Sequence, residues 1–265
     1  MNTFSFFFTN FAPENSEKKM RKFFSIIILL ATCAVVNAQN VQLHYDLGRT
    51  LDDDLDGRPA VTTTIEYFKP DQWGSTFFFT DLDYFHDGVA GAYWEVSREF
   101  NVSRDKHWAA HVEYDGGLTS SKVTDLSTRF QHAALIGPAW NYASKDFSKT
   151  LSLQALYKYY FKGQNPWNRP FSSFQATAVW TIHSSNRMFT FSGFLDCWYD
   201  GNVHGNWIYI SEPQGWFNLN ALKGCRQLNL SLGTEVEMSY NFVYDNKGRN
   251  DKFRAIPTLA AKWTF

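Results

Sequence analysis

Apolar and polar residues alternate in steps of two along much of the chain. The clearest stretch places Leu228, Leu230, Leu232, Thr234, Val236, Met238 and Tyr240 on one face and Asn229, Ser231, Gly233, Glu235, Glu237 and Ser239 on the other. A helix would spread the two glutamates around its circumference, whereas a strand puts both on one side. Such alternation over about ten residues is typical of a strand that crosses a membrane within a β-barrel.

The same alternation recurs and predicts an all-β protein, a transmembrane antiparallel β-barrel of about twelve strands. Well-marked strands begin near Val41, Trp108, Leu151, Phe174 and Phe189. Weaker candidates cover 60–68, 75–85, 90–99, 130–140, 206–218 and 255–265. An even number of strands places both termini on the periplasmic side, so long outer loops should alternate with short turns. Most of the predicted connections follow this rule, although 86–89 is short where a long loop is expected.

A soluble sandwich or lipocalin-like barrel also alternates, but two features favour a membrane barrel. Aromatic residues lie towards strand ends, as Tyr159 and Phe161 do, where interfacial girdles belong. The chain also ends on an apolar row that finishes with Trp263 and Phe265. That ending resembles the signal read by the outer-membrane insertion machinery. We therefore expect a location in the bacterial outer membrane, with its lipids and this machinery as partners.

Residues 1–38 are expected to lie outside the barrel domain, 39–265. Basic residues after Met20 precede an almost wholly apolar run that ends at Val36, and small residues follow up to Ala38. This order is the signature of a cleaved signal peptide, here with its core at 20–38. Residues 1–19 form an upstream extension, so translation could begin at Met1 or at Met20.

Composition supports the barrel and excludes one class of partner. Aromatic residues make up 18% of the chain and charged residues only 19%, which suits a barrel whose apolar residues face lipid. The net charge is −1, too little for a basic nucleic-acid-binding surface. No nucleic acid polymer is expected as a partner.

The polar strand faces should line the barrel interior, where any solute would bind. By parity, ten acids face inward: Glu66, Asp81, Asp83, Glu95, Glu113, Asp115, Asp196, Glu212, Glu235 and Glu237. The inward bases are Lys158 and Lys262, with the weaker His111 and His183. An acidic interior disfavours anions and favours neutral or cationic solutes. The alternative is that several acids pair with arginines on wrongly assigned strands, such as Arg98 or Arg129.

Aromatic residues share these inward faces. Rings beside acids and amides suit a ligand with a flat ring and hydroxyl groups, such as a nucleoside, whereas in a narrow barrel they would merely fill space. The candidate substrate-binding residues are Phe77, Phe79, Asp81, Asp83, Glu113, Asp196, Trp198, Glu212, Gln214, Trp216, Glu235 and Glu237.

A resemblance to a known family bears on the solute. Residues 58–66, 68–79, 191–194, 212–214 and 262–265 resemble a family of outer-membrane proteins. That family looks like the nucleoside-specific channel-forming porins, which are monomeric barrels of twelve strands. The resemblance implies a monomer that passes nucleosides, and it assigns no individual binding residue.

Two short motifs were weighed as sites of chemistry. His183-Ser184-Ser185-Asn186 resembles the His-x-Ser-Asn sequence of outer-membrane phospholipases, but it falls in a predicted periplasmic turn. The run from Asp52 to Gly57 begins like a calcium loop, yet Thr63 stands where the bidentate glutamate belongs. The sequence therefore predicts no catalytic residue, metal or cofactor, and a passive, selective channel for small solutes. A membrane-embedded lipid hydrolase and a structural barrel with a closed lumen remain the alternatives.

Overall fold

A computed structural model describes residues 40–86, 88–120, 127–164, 168–201 and 206–265. Within these ranges the strand segments are β1 (Asn40–Asp46), β2 (Val61–Pro70), β3 (Gly74–Phe85), β4 (Gly88–Asn101), β5 (Trp108–Ser120), β6 (Ser127–Arg129), β7 (Ala133–Ala143), β8 (Lys149–Tyr160), β9 (Phe171–His183), β10 (Phe189–Asp200), β11 (Asn206–Ser211), β12 (Gln214–Asn218), β13 (Leu230–Tyr240) and β14 (Phe253–Thr264). The described helices are one turn of α-helix, α1 (Gly48–Leu51), and 3-10 turns at Asp53–Leu55 and Leu219–Ala221. None of these helices is long and apolar enough to cross a membrane. The predicted signal segment lies outside the described residues.

The strands form one antiparallel sheet that closes on itself. β1 pairs with both β14 and β2, and β10 pairs back to β9 to complete the circle. Two pairs of segments are halves of a single barrel strand, because β11 and β12 both pair with β10 while β6 and β7 both pair with β5. The described segments therefore make a closed antiparallel barrel of twelve strands, and the predicted fold class is confirmed.

The break between β11 and β12 has a local cause. Pro213 has no backbone N–H and cannot continue the hydrogen-bonded ladder. Opposite it, Gly193 has a φ of +153°, and a Cβ there would lie 2.5 Å from the carbonyl oxygen of Glu212. The two backbones approach closely at this point, which only glycine permits.

Side chains alternate between the two barrel faces as predicted. On β1, Leu43 faces outward and is 53% exposed, whereas its neighbours Gln42 and His44 face inward and are buried. β14 repeats the pattern, with Leu259 exposed between the buried Thr258 and Ala260. The exposed outer surface is therefore largely apolar, as a lipid-facing surface must be.

The connections also alternate between the two ends of the barrel. One end, here called the loop end, carries loops 47–60 and 241–252 and is where β3, β5, β8 and β10 end. The turn end carries 71–73, 102–107, 144–148, 184–188 and 219–229, together with Asn40 and Phe265. Loops 47–60 and 241–252 are longer than the turns 71–73, 144–148 and 184–188, as the alternation of long and short connections predicts. The connection 219–229 departs from this rule, because it lies at the turn end, is long and contains a 3-10 turn.

One half of the barrel interior is packed with apolar side chains. Buried inward residues of β7, β8, β10 and β11 form a cluster of Ala133, Leu135, Leu156, Tyr160, Trp198, Ile208 and Ile210. The inward residues of β2 and β3, on the opposite wall, keep part of their surface accessible. The expectation that inward rows are polar holds for β1 to β5 better than for β7 to β11, because a narrow barrel is filled by its own side chains.

Candidate functional site

Four aromatic rings follow one another along the accessible wall, and we call them the aromatic row. Phe77 and Phe79 of β3 have ring centroids 5.9 Å apart, Tyr93 of β4 lies 5.9 Å from Phe79, and Phe130 lies 6.2 Å from Tyr93. Gly117 of β5 leaves room for the last ring, because a Cβ there would lie 2.1 Å from it. Sequence reasoning identified the two phenylalanines of β3 and missed the other two rings.

Carboxylates flank the aromatic row, and hydroxyl groups on neighbouring strands hold them. Thr64 donates to Asp81, and Thr62 donates to Asp83 over 2.6 Å. The Tyr93 hydroxyl belongs to the row itself and donates to Glu95 over 2.8 Å. The wall thus presents flat apolar faces beside oriented hydrogen-bond acceptors.

A second group surrounds Lys158. Carboxylate oxygens of Glu95, Glu113 and Asp115 lie within 4.8 Å of one another. The Lys158 ammonium lies 3.2 Å from Asp115, donates to Gln175 over 2.8 Å, and lies 5.0 Å from the centre of the Trp198 ring.

His111 extends this group. Its ring nitrogens lie 3.1 Å from Glu113 and 3.3 Å from Glu99. The carboxylates of Glu95, Glu113 and Asp115 lie close enough together to hold a cation. The ammonium of Lys158 already supplies positive charge at this point, so the arrangement is a charge-compensated cluster of the protein's own groups.

A third group lies on β12, β13 and β14. Trp216 donates to Gln214 over 3.0 Å, and Gln214 donates to Glu235 over 2.7 Å. The Lys262 ammonium lies 4.0 Å from the centre of the Trp216 ring, a cation–π contact. His44 of β1 lies 3.6 Å from Glu235.

The predicted binding residues all lie on inward rows, but they divide among different places. Phe77, Phe79, Asp81 and Asp83 belong to the aromatic row and its flanks, Glu113 and Trp198 to the Lys158 group, and Gln214, Trp216 and Glu235 to the third group. Asp196 accepts a hydrogen bond from Thr177. Glu212 lies at the break between β11 and β12, and Glu237 binds an arginine of loop 47–60.

Arg98, considered from sequence as a partner for inward acids, instead forms a bidentate pair with Asp71 at the turn end, which lowers the pKa of Asp71 to about 2. The inward acid Glu237 pairs with Arg58 of loop 47–60, and Arg254 of β14 pairs with Asp52 of that loop. A loop residue has no alternation, so its direction could not be predicted.

The two motifs of possible chemistry have structural roles. His183 lies at the end of β9, and its ring bonds the hydroxyl of Thr190 over 2.8 Å. In the acidic loop, Asp54 lies 3.3 Å from both Lys247 and Lys252, whose hydrogen bonds lower the pKa of its carboxyl group. Two acids of the calcium-like run are thus paired with basic side chains, Asp54 with these lysines and Asp52 with Arg254.

The described strands define a closed antiparallel barrel of twelve strands with a partly accessible interior. It is similar to the solved NanC porin, with 13% identity and a TM-score of 0.53 over 86% of this chain and 99% of that one. The chain belongs to the family described as a domain of unknown function, DUF5020, whose model matches residues 38–265. No curated protein matches it by sequence.

Two further solved structures show weaker similarity. The KdgM porin is 9% identical with a TM-score of 0.45, over 86% of this chain and 99% of that one. LpxR from Salmonella typhimurium is 7% identical with a TM-score of 0.42, over 86% and 100%. At such identities the likeness concerns the fold alone.

Proposed function

We propose that the protein is a bacterial outer-membrane channel for passive, selective passage of small solutes, with nucleosides as the favoured class. The observation that carries the proposal is the aromatic row, flanked by fixed carboxylates on the accessible wall of the barrel. The exposed apolar outer face and the porin-type fold support the membrane location.

The chemistry of the wall fits a nucleoside. A planar base can stack on Phe77, Phe79 or Tyr93, and base–aromatic stacking is worth about 1–3 kcal/mol per base. Sugar hydroxyls can donate to Asp81 and Glu95, which accept hydrogen bonds and have no proton to give when ionised. The spacing of about 6 Å between rings allows a solute to pass from one to the next.

The balance of charge supports the same solute class. Inward acids outnumber inward bases among the described residues, so an anion entering the barrel meets a repulsive potential. A neutral nucleoside does not meet this repulsion. Binding and passage by these groups involve no covalent step, so no nucleophile is required.

The proposal is tested by liposome swelling with adenosine and with a sugar of equal size. We expect adenosine to enter faster, and Phe79→Ala to lower the ratio of the two rates about fivefold, the lower limit of the stacking energy above. Phe78→Ala is the matched control. Phe78 directly precedes Phe79 on the same strand, but it pairs with the outward Val96 and therefore faces away from the barrel interior.

Other outcomes separate the alternatives. Equal rates for adenosine and sugar in the unaltered protein would refute nucleoside selectivity but retain the channel. No swelling with either solute would favour a closed structural barrel, and release of fatty acids from the liposomes would favour a lipid hydrolase.

A further inference from the structure

Loop 47–60 is folded against the inner surface of the barrel. Leu55 of this loop is 2% exposed and packs against Ile256 and Val243. Ile256 lies on the inward row of β14, where it pairs with the inward Glu237. Gly48 also lies against Ile256, since a Cβ added at Gly48 would lie only 2.4 Å from the Ile256 side chain. The loop therefore occupies part of the opening at the loop end.

Ion pairs hold this loop in place at its outer edge. Asp52 pairs with Arg254, the first inward residue of β14. Asp54 pairs with Lys247 and Lys252 of loop 241–252. These contacts and the buried Leu55 make the loop a fixed part of the opening.

Arg58 reaches from this loop across the inner face of β14. Its Nε lies 2.9 Å from Asp46 of β1, and its Nη2 lies 2.8 Å from Glu237 of β13. The side chain of Arg58 is 26% exposed, while those of Asp46 and Glu237 are 11% and 13% exposed. Arg58 thus contacts both carboxylates, and its side chain is the most exposed of the three.

We propose that Arg58 is a selectivity-determining residue, which masks two acids at the opening and so limits the preference of the channel for cations. The role rests on the proposed channel function. Without the guanidinium, Asp46 and Glu237 would both face the opening uncompensated. A unit charge a few ångströms from a passing ion changes its local concentration about fivefold even in bulk water, and less as salt screens it.

The test is the permeability ratio of K⁺ to Cl⁻, taken from reversal potentials in planar bilayers under a KCl gradient. Arg58→Gln should raise this ratio about two- to fivefold. Glu237→Gln breaks the same ion pair but removes a negative charge, so it should lower the ratio. Arg58→Lys keeps the charge and should stay near the original value. Arg98→Gln is the matched control and should leave the ratio unchanged, because it breaks an arginine–aspartate pair on the outward row of β4 at the turn end.

The opposite signs distinguish charge selectivity from loop anchoring. If Arg58 only held the loop, Arg58→Gln and Glu237→Gln would change conductance and selectivity in the same direction, and the proposal would be wrong. An Arg58→Gln ratio equal to that of Arg98→Gln would also overturn it. If the protein conducts ions but gives either of these two results, only the role of Arg58 is refuted and the proposed channel function is retained. No conductance in the unaltered protein would instead refute the channel and this role together.

Discussion

Lys158→Met should destabilise the barrel more than any surface substitution. The Lys158 side chain is 8% exposed, and its ammonium lies 3.2 Å from Asp115 and donates to Gln175 over 2.8 Å. Methionine keeps most of the volume and removes the charge. The buried acids around Asp115 would then lose the cation that compensates them.

The expected loss in the free energy of unfolding is about 3–5 kcal/mol, the cost of removing one partner from a buried ion pair. Lys149→Met is the control, because Lys149 begins the same strand and is exposed; surface changes of this kind stay within about 0.5 kcal/mol. Adding Asp115→Asn to Lys158→Met should recover roughly 1 kcal/mol or more, since contacting residues couple.

Reversible urea unfolding from lipid vesicles measures these differences, followed by tryptophan fluorescence and by the mobility shift of the folded barrel on gels. The loss should shrink in acid, because protonating the carboxylates removes their repulsion. A Lys158→Met protein as stable at neutral pH as the Lys149→Met control would refute the assignment of Lys158 as the compensating charge.

Two further predictions concern the backbone at Gly193 and the last loop, 241–252. Gly193→Val should destabilise the barrel by about 1–3 kcal/mol and lower the refolded fraction on gels, because the new side chain meets the opposite backbone; Gly215→Val, where a Cβ meets nothing within 4 Å, should not. The backbone N–H of Arg249, and then its guanidinium, lower the pKa of Asp245 from 3.8 to about 2. A lowered value means that the ionised carboxyl stabilises the last loop fully above its ordinary pKa and loses this effect as pH falls through about 2. That loop should therefore resist pepsin at pH near 4, and Asp245→Asn should accelerate cleavage there; equal cleavage rates would contradict this.

The barrel itself was predictable because alternation is a local signal. The order of apolar and polar residues within one strand is enough to tell its outward face from its inward face, as the outward Leu43 beside the inward Gln42 illustrates. The two broken strands were less visible. Pro213 marks one break in the sequence, but its partner Gly193 is recognised only when the register is known.

The interior was predictable only in part, because alternation gives the face of a residue but not what covers it. Leu156 and Ile208 are inward and apolar, and they become a core only because neighbouring strands bring them together. Arg58 and Glu237 are 179 residues apart in sequence, and one of them is in a loop. No local pattern connects such residues.

The division of the interior into a packed half and an accessible wall has a physical reason. Lipid is as apolar as the outward side chains, so the outer face gains little from association with other apolar groups. Apolar side chains buried inside, such as Leu135 and Leu156, must then supply packing energy. The β2–β3 wall, where threonines hold Asp81 and Asp83, stays partly accessible. Substitutions on the packed half should therefore change stability, and those on the accessible wall should change passage.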